Sequence, residues 1–401
     1  MIDAVVVGAG PAGCATAILL AERGLAVTLL DKAAFPRPKI CGEYLSPEAA
    51  RVLDRLGVLK AVDGAGAQPL RGMRITAPDG TVLDGTYPAT GYRDHALAIR
   101  REVFDRILLE RARALPVDVR ERHRVTGPIV EGGCARGVIV EAPDGARQEI
   151  RSRLVVGADG RASVVARALG LLRPHRLRRL ALIRHVSGVE GLGDRGEIHV
   201  DPPDYSILNP VAPGIANLGL VVPLAHAKPF RGRLETFFAA RLKQLRHLPG
   251  RLVGMRAEGP LMVMGPLAYR VDEPRVGGVV LVGDATGFYD PFTGEGLYTA
   301  LRSAELLVAV AEPALARGDV SVRALAPYAR ARRAAFADKA RLTRALQVVI
   351  SHRRLANLVA RFLARRPARL GTLMGVIGDV LPPRALLGSG LTFRHSSRGD
   401  G

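Results

Sequence analysis

Near the start of the chain, Gly8-Ala9-Gly10-Pro11-Ala12-Gly13 follows the short apolar run Ala4 to Val7, and an acid, Asp31, lies beyond the next apolar run. Glycines at this spacing do three separate jobs at a nucleotide site: Gly8 permits a tight turn, Gly10 lets the backbone approach a pyrophosphate, and Gly13 lets a helix lie close on a strand. A helix starting at this turn aims unpaired N–H groups at an anion, and Asp31 can accept both ribose hydroxyls of an adenosine. The pattern predicts a dinucleotide site. Two more polar turns leave apolar runs, Gly157-Ala158-Asp159-Gly160 and Gly283-Asp284-Ala285-Thr286-Gly287, the second continuing to Thr293-Gly294-Glu295-Gly296. Such turns can aim donors and acceptors at a ligand. The nine histidines and three cysteines show no HxxxH, HExxH or CxxC spacing, so no metal site is expected.

These turns need elements to hold them. Cys14 to Glu22 reads as a helix capped by Gly24, and Ala26 to Leu30 as a second buried strand ending in Asp31. A proline-braced loop, Phe35 to Glu48, carries Cys41 and enters a helix that Ser46 can cap. Asp79-Gly80 between alternating segments predicts a hairpin over 74–86. Ala96 to Arg100 reads as a strand and Arg101 to Arg113 as a helix; residues 117 to 157 read as strands turning at Gly132-Gly133 and Asp144-Gly145, with Cys134 in a loop. Alternating strands near 180–187, 195–201, 205–209 and 215–222 predict an antiparallel sheet with one apolar face, followed by a helix near 231–246. The chain then returns with the buried strand Gly277 to Val282 and a long helix from Leu297. This order divides it into a nucleotide-binding unit over 1–171 and 276–320, an inserted unit over 172–275, and a helical basic region over 321–401.

The composition narrows the partners. With 48% hydrophobic and 24% charged residues, the 401-residue chain can bury a large core, which excludes a disordered protein. Three cysteines build no disulfide framework and point to a reducing compartment. The N-terminus opens on an acid and a strand rather than a signal peptide, and no uncharged apolar run is long enough to span a bilayer. The expected location is the cytoplasm, with a peripheral membrane position as a second placement. The 58 basic residues, 52 of them Arg, against 38 acidic give a net charge of +20, an excess that suggests an anionic partner. Nucleic acid is not expected, since the chain has no Trp and no aromatic-studded basic stretch on which bases could stack. Between Ser321 and Leu370, 12 Arg and one Lys stand against one Asp, in segments of helical spacing. Two readings follow: a basic amphipathic face on anionic lipid, or a solvated helical face covering the inserted unit.

The three glycine motifs in this order resemble the FAD-dependent aromatic-hydroxylase superfamily, over residues 1 to about 310. Within it, Gly283-Asp-Ala-Thr-Gly-Phe-Tyr-Asp-Pro-Phe-Thr-Gly-Glu-Gly296 and the loop Pro36 to Pro47 resemble the geranylgeranyl reductase branch. The resemblance implies an α/β protein: a Rossmann-like FAD-binding domain, an inserted antiparallel-sheet substrate domain and a helical C-terminal tail. It implies that Gly8, Gly10, Gly13 and Asp31, with Pro11, Ala12 and Lys32 beside them, hold the ADP half of FAD. It also implies that Arg100 meets the phosphates, that Asp284 bonds the ribityl or pyrophosphate region, and that Asp159 orients cofactor and nicotinamide. Gly294, Gly296 and Leu297, at a helix start, would bring backbone donors to the flavin ring. Cys41 would lie near the flavin as a proton donor or redox thiol, its pKa lowered by Lys39 and Arg37, or as a small packing residue. Glu295 would exchange a proton there or simply favour the helix dipole. Two departures stand out. The branch's CGGG is Cys41-Gly-Glu-Tyr44 here, and the tryptophan motifs of related reductases and halogenases are absent.

The function expected from these features is FAD-dependent reduction of a carbon–carbon double bond in an apolar prenyl, quinone or polyketide-like substrate, by hydride from reduced flavin. The alternatives are an FAD-dependent monooxygenase that hydroxylates or epoxidises, and a flavin-bearing electron carrier or lipid-binding protein. No second glycine motif holds a nicotinamide nucleotide, so either NAD(P)H docks transiently in the substrate cleft or a protein partner supplies electrons.

Overall fold

Strand Ile2–Val7 is a β-branched run buried from Ala4 onward, as strands covered on both faces are. It pairs in parallel with Val27–Leu30 on one side and with the second half of Arg147–Gly157 on the other. Val117–Arg120 and Val279–Leu281 extend this parallel sheet, while Arg124–Glu131 and Cys134–Glu141 join it as an antiparallel hairpin. The computed structural model describes residues 2–89 and 91–386. The part of the basic region beyond 386 lies outside the described residues.

The first helix starts at Pro11, three residues before the expected Cys14, because proline's fixed φ suits the first helical position. It is buried along its whole length between the sheet and the helices Arg101–Arg113 and Gly296–Ala316. A helix apolar all round is one that packs all round. Cys134 opens a strand instead of lying in a loop, because Gly132 and Gly133, both at positive φ, complete the turn in two residues. The helix after the proline-braced loop starts at Ala49 with no side-chain cap, so Ser46 does not cap it.

The second sheet holds eight strands. Arg179–Ser187, Ile215–Pro223, Asp204–Ala212 and Arg195–Asp201 form its antiparallel centre, as the alternation in 172–275 predicts. The sheet does not stop there. The hairpin Gly72–Thr76 and Val82–Thr86 completes its edge, with Gly72–Thr76 pairing in parallel with Arg195–His199. The sheet over the inserted unit therefore also draws on residues far upstream.

Three helices follow the nucleotide-binding unit, Val322–Ser351, Arg353–Ala364 and Pro367–Ile377. Their apolar residues Ile350, Ala356, Ala360, Leu373, Met374 and Ile377 share a core with Met73, Leu83, Tyr87 and Tyr205 of the second sheet and its surroundings. Much of the basic region thus serves as cover for that sheet. One buried cation anchors it: Lys339 Nζ donates to Val376 O at 2.7 Å, to Ile377 O at 3.3 Å and to Asp379 Oδ1 at 2.5 Å. Lysine here uses its three donors at once. Lys339→Met removes every one of these contacts and leaves Asp379 buried without its cation, so the variant should lose about 3 kcal/mol of stability. A urea melt checks this; an unchanged midpoint would show that the lysine contributes nothing net.

Candidate active site

The glycine turn is built as its sequence requires. Gly8 has φ +101°, and a Cβ on Gly13 would overlap the Gly8 carbonyl, so helix and strand approach too closely for any side chain there. Gly10 is different. Its backbone is extended, and a Cβ would meet nothing nearer than an Arg37 nitrogen at 3.7 Å. The Gly10 position is therefore open on the side where a pyrophosphate would lie. Asp31 closes the turn from the second strand, its carboxylate accepting from Ala9 N at 2.8 Å and Ala33 N at 2.9 Å. Lys32 beside it is exposed.

The other two polar turns converge on this one. A Cβ on Gly283 would lie 2.8 Å from the Ala12 side chain, so the Gly283–Thr286 turn seats on the start of the first helix. The Asp159 turn packs against it. Asp159 Oδ2 accepts from Val164 N at 2.6 Å, while its Oδ1 is buried without a partner. The Nε atoms of Arg100 and Arg161 and Nη1 of Arg37 are likewise buried without a hydrogen-bond partner among the described residues. Open space at Gly10, Gly160 and Gly296, together with buried polar atoms of Arg100, Asp159 and Arg161 that have no partner and Arg37 held 3.4 Å from Asp105 beside Gly10, fits a ligand carrying both phosphates and hydroxyls. FAD is such a ligand. Burial raises the pKa of Asp284, against the pull of Lys39, Arg101 and Arg161. Lys39 keeps an exposed surface, and the desolvation of its ammonium lowers its pKa, helped by Arg101 and Arg37.

Gly294, at φ +70°, turns the chain into the helix Gly296–Ala316, whose first turn includes the buried Leu297. Glu295 precedes that helix and meets the C-terminal region: its Oε1 accepts from Thr343 Oγ1 at 3.3 Å and lies 3.8 Å from Lys339 Nζ. Burial pushes the Glu295 carboxyl up, Lys339 opposes this and Asp379 adds to it. The tail thus contacts the third motif directly.

The Cys41 loop is held by the second sheet. His185, Asn217 and Asn209 are register partners on three neighbouring strands and form one polar rung of the sheet. Asn209 Nδ2 donates to Gly42 O at 2.8 Å and Asn217 Nδ2 to Cys41 O at 2.9 Å. Glu43, 2% exposed, completes the clamp. Its Oε2 lies 2.6 Å from His185 Nε2 and accepts from Asn217 Nδ2 at 2.9 Å, while Oε1 accepts from the backbone N–H of Arg101 at 2.8 Å. Glu43 also adopts φ +57°, a conformation that disfavours side chains, and the Tyr44 ring lies against Gly294. The two residues that depart from the branch's glycines therefore join the loop to the sheet, to the helix Arg101–Arg113 and to the third motif.

The structure corrects the expected state of Cys41. Burial pushes its thiol up, and the cation that opposes this is Arg101, with Glu43 N donating to Sγ at 3.3 Å; Lys39 and Arg37 are not what governs it. A thiol below the surface pays more in lost hydration than nearby charge returns. Cys14 is fully buried and donates to Ala9 O at 3.2 Å, a packing role. Sequence reasoning missed Glu43, His185, Asn209, Asn217 and Arg101. Two asparagines inside apolar strands were the available signal.

Comparison with known proteins agrees with this geometry. The FAD binding domain family model matches residues 1–186. The chain is 30% identical over 344 residues to the digeranylgeranylglycerophospholipid reductase of Methanospirillum hungatei, covering 84% of this chain and 82% of that protein. A solved flavoprotein/dehydrogenase from Cytophaga hutchinsonii superposes with a TM-score of 0.83 at 25% identity, over 94% of this chain and 92% of that one. A flavin-dependent brominase shares the fold, with a TM-score of 0.82 at 22% identity over 94% and 93% of the two chains. With its glycine turns, its two-sheet architecture and this match over most of its length, the chain belongs to the geranylgeranyl reductase family of FAD-dependent oxidoreductases, the family of the digeranylgeranylglycerophospholipid reductases.

Proposed function

We propose that the enzyme reduces a carbon–carbon double bond of an apolar, prenyl-type lipid, with Cys41 supplying the proton. The observation that carries this reading is the clamp on the Cys41 loop, which fixes a protonated thiol between the FAD-binding unit and the second sheet. The match to a reductase named for a digeranylgeranylglycerophospholipid supports the substrate class. FAD, when bound and reduced by NAD(P)H or a protein donor, supplies hydride to one alkene carbon. The protein supplies the rest. Gly8, Gly10, Pro11, Ala12, Gly13 and Asp31 would hold the ADP half; Arg100 would meet the phosphates and Asp284 the ribityl or pyrophosphate region; Asp159 would orient the cofactor, and the Gly294–Leu297 backbone would offer donors to the ring. Lys32, exposed beside Asp31, would meet the adenosine end. Cys41 would give its proton to the second alkene carbon and recover one from water, while Glu295, at the tail contact with Lys339 and Thr343, would exchange a proton near the ring or simply favour the helix dipole.

The direct test is anaerobic. Reduced enzyme mixed with a geranylgeranyl lipid should reoxidise its flavin and yield a product heavier by two hydrogens per turnover, read by mass spectrometry. A hydroxylated or epoxidised product that appears only with oxygen would make the enzyme a monooxygenase. Because burial keeps the Cys41 thiol protonated, the rate should hold through neutral pH and fall only on the alkaline side. Cys41→Ser should slow single-turnover reoxidation by roughly 10²-fold and remove that alkaline limb, with FAD retained; an unchanged rate would assign Cys41 to packing.

The two central glycines separate cofactor binding from folding. Gly10→Val places a side chain in open space, so the protein should fold with a near-normal melt and emerge colourless. Gly13→Val collides with the Gly8 carbonyl and should lower stability as well as FAD content. FAD retained at wild-type levels by the Gly10 variant would contradict the placement of the pyrophosphate.

A further inference from the structure

We propose that the outward face of the helix Arg353–Ala364 docks on an anionic lipid bilayer. The inner side of this helix is satisfied: Ala356 and Ala360 are buried in the core that also contains Tyr44 and Phe292. Its apolar surface continues past that contact. Leu355, Leu358, Val359 and Phe362 stand at positions i, i+3, i+4 and i+7, the spacing of a single helix face. None of the four enters a core of the described residues, and Leu358 is 66% exposed and Phe362 38%. An apolar stripe wider than its contact leaves half of itself in water.

The cations beside the stripe decide what covers it. Arg353 pairs with Asp201 and Arg361 with Asp79. Arg354, Arg365, Arg366 and Arg369 are exposed and form no ion pair among the described residues. The guanidinium groups of Arg366 and Arg369 lie over the Phe362 ring at 3.9 and 5.4 Å from its centroid. Aliphatic and aromatic side chains beside unpaired arginines match the acyl boundary and the phosphate layer of a bilayer at once. A nucleic acid would use the arginines and leave Leu358 in water. No helix of the described residues is long and apolar enough to cross a membrane, so the contact is with its surface. The inner face of the same helix adjoins the core at the candidate active site, which would bring a lipid-borne substrate near the site.

The experiment is co-sedimentation of the full-length, FAD-loaded protein with phosphatidylcholine vesicles, with and without phosphatidylglycerol. Binding is scored without substrate, so it can fail separately from the proposed reaction. The wild type should bind anionic vesicles at low salt, bind neutral vesicles much less, and be released as salt shortens the screening length to about 8 Å. Arg365→Glu with Arg366→Glu should weaken anionic binding by roughly tenfold or more. Leu358→Ser with Phe362→Ser should remove the binding that resists moderate salt. All four side chains are exposed, and a thermal melt confirms that the variants fold. Equal binding to both vesicle types, no binding to either, both variants binding like the wild type, or retention on duplex DNA with no vesicle binding would each overturn the proposal.

Discussion

The Glu43 carboxylate joins three parts of the molecule that the chain connects only at long range. It is buried, and a buried carboxylate is tolerable only if its oxygens are filled with donors. Arg101 N, His185 Nε2 and Asn217 Nδ2 fill them from the FAD-binding unit and from two strands of the second sheet. The positive φ at Glu43 costs about 1 kcal/mol, whereas each hydrogen bond to a charged group contributes about 1.5–3 kcal/mol. The bonds outweigh the strain. A glycine at 43 would relax the backbone and leave the Cys41 loop tied to the sheet only through the two asparagines.

What could be read from the sequence was local. The turn at Gly8 to Gly13 and the acid at Asp31 follow from the spacing of a few residues, and the glycine-motif helix and the buried strands on either side of it follow from short apolar runs. The parallel pairing of Gly72–Thr76 with Arg195–His199 does not, because no local pattern brings residues so far apart into register. The polar rung was hidden for the same reason. His185, Asn217 and Asn209 are ordinary polar residues on three separate strands until the sheet sets them side by side. Cys41 shows the limit of charge counting, since neighbouring basic residues are visible in sequence and burial is not.

The C-terminal helices act on the site through a second ionic contact. Lys339 is buried with Asp379 and reaches towards Glu295, so the third motif is bounded by the tail as well as by the first helix. One of the two departures from the branch's glycines borders this contact, since Tyr44 seats on Gly294 and its hydroxyl lies 2.7 Å from that of Tyr87. This side of the candidate site is thus assembled from the loop, the second sheet and the tail together. Helix Arg353–Ala364 carries that assembly to the surface, with one face in the shared core and the other in solvent.

The claim on which this account rests is that Glu43 and His185 act as one unit in holding the Cys41 loop. A double-mutant cycle measures it directly, with Glu43→Gln, His185→Phe and the pair compared with the wild type by urea unfolding of the FAD-loaded protein. The account predicts a coupling of about 1 kcal/mol or more, within the range found for residues of one hydrogen-bond network. It also predicts that either single variant slows flavin reoxidation by the lipid substrate while FAD stays bound. Additive losses, with reoxidation at the wild-type rate in both single variants, would contradict it.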